Sequence, residues 1–293
     1  MGEQATPDLP LPALGRLEEA HDAEYVAGFP VHVALTLHGD PFVELRRIPR
    51  ADWRGVRSAV GVKLVDPAAP PDQRLVRMVE AAPIIDDEIV YPRVDLPAAG
   101  QVRMLVDLSE LLGGAAAPPA VGAFEATVTY AAGRSPAMRR GVDFPLVLRR
   151  PTSLEEHTLR ALAPLATDGW GPWAEEKPPE AEGLLLTPHV DPADPLRLLR
   201  VMRFLMYGPT ELADVDPAMF DVLGGVYAPD AEALRAEVLA ARGDRAALAK
   251  QLALARAATP GLGPWLASIE SGTSFLGWMR DQTRKRRRHS PRP

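Results

Sequence analysis

Cysteine is missing altogether from this 293-residue chain. That excludes disulfide frameworks, thiolate zinc sites, iron–sulfur clusters and thiol nucleophiles together, and it fits a cytoplasmic protein. Long apolar runs are missing too. None approaches the roughly 20 residues needed to cross a bilayer. The start, Met1-Gly2-Glu3-Gln4, carries neither a basic n-region nor an apolar h-region, so neither a membrane partner nor a secretory signal is expected. Positive charge is not in excess: the net value is −6, which gives no general attraction to nucleic acid or anionic membranes. The short catalytic fingerprints are also absent. There is no Gly-x-Ser-x-Gly elbow, no Walker loop, no dinucleotide fingerprint after a strand and no His-Glu-x-x-His. Nothing in the chain calls for a cofactor.

What is present is a change of hydrophobic period. Val142, Phe144, Leu146 and Leu148 alternate with Asp143, Pro145, Val147 and Arg149, the signature of a strand with one buried face. Arg150 and Pro151 break the run. Thr152 and Ser153 then each stand three residues before a glutamate, Glu155 and Glu156, offering two capping boxes for a helix over Thr152–Leu165. Upstream the chain reads as β, downstream as α.

Upstream, residues 1–22 hold three prolines and an excess of acidic side chains, and read as a flexible acidic leader. Order is expected from about residue 23. Val31, Val33, Leu35 and Leu37 share one strand face; Val60, Val62 and Leu64, then Val102, Met104, Val106 and Leu108, repeat the pattern. Leu75–Ala81 and Ile84–Tyr91 are apolar enough for strands, the second placed at an edge by Pro92. The clearest strand runs Gly122–Tyr130, with Phe124, Ala126, Val128 and Tyr130 inward. Six to eight short strands with turn signals between them predict an antiparallel β-sandwich over 23–150. The rhythm resembles that of immunoglobulin-like modules, without the cysteine pair or core tryptophan of antibody-type domains.

Downstream, 151–193 reads as a linker: one short helix, then a loop rich in tryptophan and proline. Residues 194–283 read as an all-α domain. Asp194-Pro195 and Asp216-Pro217 each combine a capping aspartate with a proline at the first helical position. Helices at Asp230–Arg242 and Asp244–Ala258 flank Gly243 as an antiparallel pair with tetratricopeptide-like rhythm, and a last helical stretch begins at Ser274. Residues 284–293 form a basic tail expected to be disordered. The fold class is therefore α+β in two parts.

Few residues suggest chemistry. His32 and His38 fall on the outer face of one strand about 20 Å apart, too far to share a metal, and read as solvated. Asp86, Asp87 and Glu88 read as a hydrophilic turn. His189, Asp191 and Asp194 place an imidazole and two carboxylates in one loop, a weak metal set that a metal-dependent hydrolase would use. Both aspartates precede proline, where turn and capping roles are the default. Trp170 and Trp173, with the row Arg197, Arg200 and Arg203, are candidates for contacting another protein. The tail, Arg284, Lys285, Arg286, Arg287 and Arg288, would meet an anionic polymer through counterion release, the sole route to nucleic acid. The overall expectation is a non-catalytic intracellular interaction or adaptor protein, with metal-dependent hydrolysis and anionic-polymer binding as alternatives.

Overall fold

The computed structural model describes residues 15–38, 48–49, 60–81, 93–94, 100–109, 111–113, 121–131, 136–162, 191–208, 210–272, 274, 276–277 and 280. Alternation decides the first half. In β3 (His32–His38), Val33, Leu35 and Leu37 are buried on one side; in β8 (Gln101–Asp107), Val102, Met104 and Val106 are buried likewise. These two strands pair antiparallel, from His32 opposite Asp107 to His38 opposite Gln101. β1 (Leu17–His21) adds a third strand on the other side of β3.

The second sheet has the order β2 (Tyr25–Val26), β10 (Arg139–Arg149), β9 (Gly122–Ala131), β5 (Val60–Val65) and β6 (Leu75–Val79). Phe124, Ala126, Val128 and Tyr130 of β9 face inward, as do Phe144, Leu146 and Leu148 of β10. Inward residues of both sheets form one core cluster, so each sheet buries its apolar face against the other. β4 (Ile48–Pro49) and β7 (Arg93–Val94) make a separate two-stranded ladder.

Two expectations need correction here. The leader does not extend to residue 22: Leu17–His21 is paired along its full length with β3, and Leu17 lies in the core. The sheets are not wholly antiparallel, because β2 lies parallel to β10, Tyr25 opposite Leu148. The chain reaches β2 directly from β1, and two residues are enough to enter the ladder in that direction.

After β10 the chain turns helical. α1 (Ser153–Leu162) opens on the Thr152–Glu155 box: the Glu155 amide donates to Thr152 Oγ1 at 3.3 Å, and the Thr152 amide donates to Glu155 Oε2 at 2.7 Å. α2 (Arg197–Tyr207) follows, then short 3₁₀ turns at Leu212–Asp214, Pro217–Val222 and Gly225–Tyr227. α3 (Ala228–Arg242) and α4 (Arg245–Ala258) form the expected hairpin. Gly243 adopts φ 73° at the turn, and Asp244 caps α4 by accepting from the Ala247 amide at 3.0 Å. Asp216 also caps, accepting from the Ala218 amide, but what it opens is 3₁₀ rather than α. α5 (Gly263–Glu270) was not anticipated.

The helices sit on the outer face of the three-stranded sheet. Ala34 of β3 belongs to the same apolar cluster as Leu198, Val201, Met202 and Leu205 of α2, and Leu105 of β8 packs against it. The 3₁₀ turn Pro260–Leu262 comes so close to β8 that a Cβ on Gly261 would lie 3.0 Å from Arg103 Cβ and 3.1 Å from its amide nitrogen. Glycine is what permits that approach.

Candidate functional site

The densest group of chemistry-bearing side chains among the described residues lies where helices meet sheet. It starts from strand geometry. Outward positions of β3 and β8 carry His32, Arg103 and Asp107, and residues on alternate strand positions share a face. The helical half then closes over them.

Arg103 Nη1 donates to Asp230 Oδ1 of α3 at 2.6 Å, and Nη2 donates to the Val226 carbonyl, also at 2.6 Å. Both side chains are almost wholly enclosed, 4% and 6% exposed. Burial pushes the Asp230 carboxyl above its ordinary range even with Arg103 in contact. Desolvation therefore outweighs attraction, as expected for a charge pair taken out of water. Asp230 Oδ2 has no hydrogen-bond partner.

A second knot surrounds Asp22, in the turn between β1 and β2. Its Oδ1 accepts from the Val226 amide at 2.9 Å, and its Oδ2 accepts from Arg197 Nη2 at 2.7 Å. Its own amide donates to the Tyr25 hydroxyl oxygen at 3.0 Å, and that hydroxyl donates to the His32 carbonyl at 2.5 Å. Burial raises the Tyr25 phenol well above its ordinary value. His32 Nδ1 shares a 2.8 Å hydrogen bond with the Tyr227 hydroxyl. Arg197 stacks over the Tyr227 ring, 4.5 Å from its centroid, a cation–π contact. Burial lowers the His32 pKa and raises that of Tyr227, so both are held neutral near pH 7. Asp107 completes the knot, Oδ1 accepting from the Val31 and Ser109 amides at 3.2 and 2.9 Å.

Gly225 makes the arrangement sterically available. Its φ is +61°, and a Cβ there would collide with Asp22 Oδ1. These contacts pair most of the polar groups where the helical turns meet the three-stranded sheet, while Asp230 Oδ2 and Arg197 Nε have no hydrogen-bond partner among the described residues.

A second region stands out for the opposite reason. β6 is a terminal strand of the five-stranded sheet, yet Leu75 (55%), Val76 (39%) and Met78 (56%) are exposed. Among the described residues β6 pairs only with β5. Edges this apolar are normally blunted by charge, proline or cover.

The residues singled out from sequence fall as follows. His32 is not a fully solvated side chain: it is half-buried in the seam, where Tyr227 lies against it. His38 is partly covered and reaches Glu18 at 2.7 Å. Asp191 Oδ1 accepts from the Ala193 amide at 2.8 Å. Asp194 Oδ1 accepts from the Leu196 amide at 2.8 Å, and Oδ2 accepts from Arg200 Nε at 2.5 Å. Both aspartates thus close turns onto the amide two residues on, and Asp194 does not cap α2, which begins at Arg197 without a side-chain cap; no group of three metal-ligating side chains occurs among the described residues. The row expected on an exposed helix face lies inward instead: Arg197 reaches Asp22, Arg200 reaches Asp194, and Arg203 is 3% exposed. Trp170, Trp173, His189, Asp86, Asp87, Glu88 and the tail Arg284, Lys285, Arg286, Arg287 and Arg288 lie outside the described residues. Among described residues, no helix is long and apolar enough to cross a membrane.

Sequence reasoning passed over Arg103, Asp22, Tyr227 and Asp230. A signal was present for the first: an arginine at an outward strand position, two residues from Leu105 and four from Asp107, on a face already carrying the small apolar Ala34. Compared with protein-family models and with curated protein sequences, the chain matches none.

Proposed function

We propose that this chain is a non-catalytic interaction or adaptor protein that presents the β6 edge to a protein partner. The observation that carries the reading is the exposure of Leu75, Val76 and Met78 on a strand that ends its sheet among the described residues. An extended segment of a partner adds there as another strand, with backbone hydrogen bonds giving affinity and alternate side chains giving selectivity. The enclosed character of the seam supports the same reading, since the imidazole, carboxylates and phenols that would serve catalysis are consumed in contacts between layers.

The finer architecture belongs to the same proposal. Two sheets around one core support an immunoglobulin-like sandwich over 23–150, and the helices after Pro151 support a second unit over 194–283, docked rather than tethered. Absence of cysteine supports a cytoplasmic setting. Metal-dependent hydrolysis at His189, Asp191 and Asp194 draws no support, because the groups around Asp194 occupy both its oxygens.

Affinity capture with the full chain, run side by side for wild type and Met78→Lys, tests the reading. Proteins recovered with wild type and lost with the variant support it, provided the variant melts like wild type. Identical recovery with both, or no specific recovery with either, contradicts it.

A further inference from the structure

We infer that the partner for the β6 edge includes a second copy of this chain, the two β6 strands pairing antiparallel about a two-fold axis through Arg77. This deepens the interaction reading above and rests on it. The support is in the order of side chains from residue 74 to residue 80: Arg, Leu, Val, Arg, Met, Val, Glu. A two-fold axis perpendicular to an antiparallel pair sets one residue opposite itself and its neighbours opposite one another. Centred on Arg77, that register sets Arg74 against Glu80 of the second copy, Leu75 against Val79, and Val76 against Met78. Each pairing occurs twice.

Opposite charges close both ends of the ladder, and apolar pairs fill the space between, the two kinds of cross-strand pair that stabilise a sheet. Centring on Val76 instead sets Leu75 against Arg77 and Arg74 against Met78, and centring on Met78 sets Val76 against Glu80. Neither alternative matches charge with charge.

Exposure agrees with the register. Residues 74–78 and Glu80 are all exposed, and Val79 is half-buried where it packs against the core. Two features oppose it: Arg74 Nε already donates to the Ala69 carbonyl of its own chain at 3.0 Å, and Arg77 faces its own copy across the axis, where like charges directly opposite are unfavourable. The structure already draws this side chain aside, Arg77 Nε donating to the Leu111 carbonyl of the same chain at 3.0 Å. A strand pair by itself buries less than the roughly 1,000 Å² of a stable interface. The dimer is therefore weak and reversible.

Sedimentation velocity of the full chain across the micromolar range tests this, with thermal unfolding as the control for fold. Wild type is expected to show a concentration-dependent monomer–dimer equilibrium. Arg74→Glu sets like charges together at both ends and is expected to weaken it about tenfold. Arg74→Glu combined with Glu80→Arg restores opposite charges and is expected to recover the wild-type equilibrium, an outcome that mere damage to the edge does not produce. A wild type that stays monomeric overturns the inference, as does failure of the double variant to recover. If the chain is monomeric while Met78→Lys still loses captured proteins, self-pairing fails and the interaction reading stands. If both experiments are negative, both readings fall.

Discussion

Replacing Asp230 by alanine leaves Arg103 buried against the helical half with no carboxylate beside it. The guanidinium keeps one partner, the Val226 carbonyl at 2.6 Å, but its charge is uncompensated in a site where its side chain is 4% exposed. Breaking a buried pair from one side costs about 3–5 kcal/mol. For a chain of this length, each kcal/mol lowers the melting temperature by about 2–4 °C, so Asp230→Ala is expected to melt roughly 6–20 °C below wild type. Burial raises the Asp230 pKa in spite of the Arg103 guanidinium beside it. Replacing both members with apolar side chains, Arg103→Met with Asp230→Leu, is therefore expected to match wild type or to exceed it by about 1–4 kcal/mol. The two single variants and the double variant form a cycle whose coupling energy isolates the pair. Thermal or urea unfolding followed by circular dichroism reads all four proteins. An Asp230→Ala variant within about 0.5 kcal/mol of wild type refutes the reasoning, because Arg103 would then be reaching water that a sealed seam excludes.

Three further outcomes follow from the same geometry. Gly225→Ala drives a methyl group onto Asp22 Oδ1 at a left-handed backbone position, and is expected to cost about 2 kcal/mol in urea unfolding; a neutral result would show that Asp22 does not hold the Val226 amide. Burial keeps His32 below its ordinary 6.5, against the pull of Asp107, Asp230 and Asp22 and with that of Arg197. The unfolded chain thus takes up a proton that the folded one refuses. Stability is full above pH 6.5 and falls as pH drops below it; His32→Gln is expected to flatten that part of the melting-temperature profile, and an unchanged slope rejects it. Arg149 holds the Glu155 carboxyl at about 2 through hydrogen bonds of 2.6 and 2.7 Å. Its contribution is present above the unfolded value of 4.5 and lost as pH falls towards 2. Solvent at Arg149, a third exposed, limits the cost of Glu155→Gln at neutral pH to about 1 kcal/mol. The gap between the two proteins should close in acid, and a gap independent of pH counts against the pairing.

Legibility in the sequence tracked how completely a residue's role is local. β3, β8, β9 and β10 were readable because one buried face imposes a period of two on its own. The Thr152–Glu155 box and the Gly243–Asp244 turn were readable because capping depends on near neighbours. β1 was not: Leu17-Glu18-Glu19-Ala20-His21 offers one large apolar anchor, and its place is set by pairing with β3, twelve to twenty residues on. The seam was hidden for a related reason. Periodicity shows that His32, Ala34, Thr36 and His38 share a face, but not that helices nearly 200 residues away will cover it. Asp230 reads only as the start of the expected helix Asp230–Arg242, and the arrival of Arg103 is what makes it a buried ion-pair partner. The arginines of α2 carry the same lesson, their spacing of three marking a common side without saying whether water or sheet lies beyond it.

If the polar seam joins sheet and helices into one cooperative unit, differential scanning calorimetry of the full chain shows it most directly. A single transition is expected, with calorimetric and van't Hoff enthalpies in agreement, shifted as a whole to lower temperature by Asp230→Ala. Two resolved transitions in wild type, with Asp230→Ala displacing only the helical one or neither, would contradict a load shared across the seam.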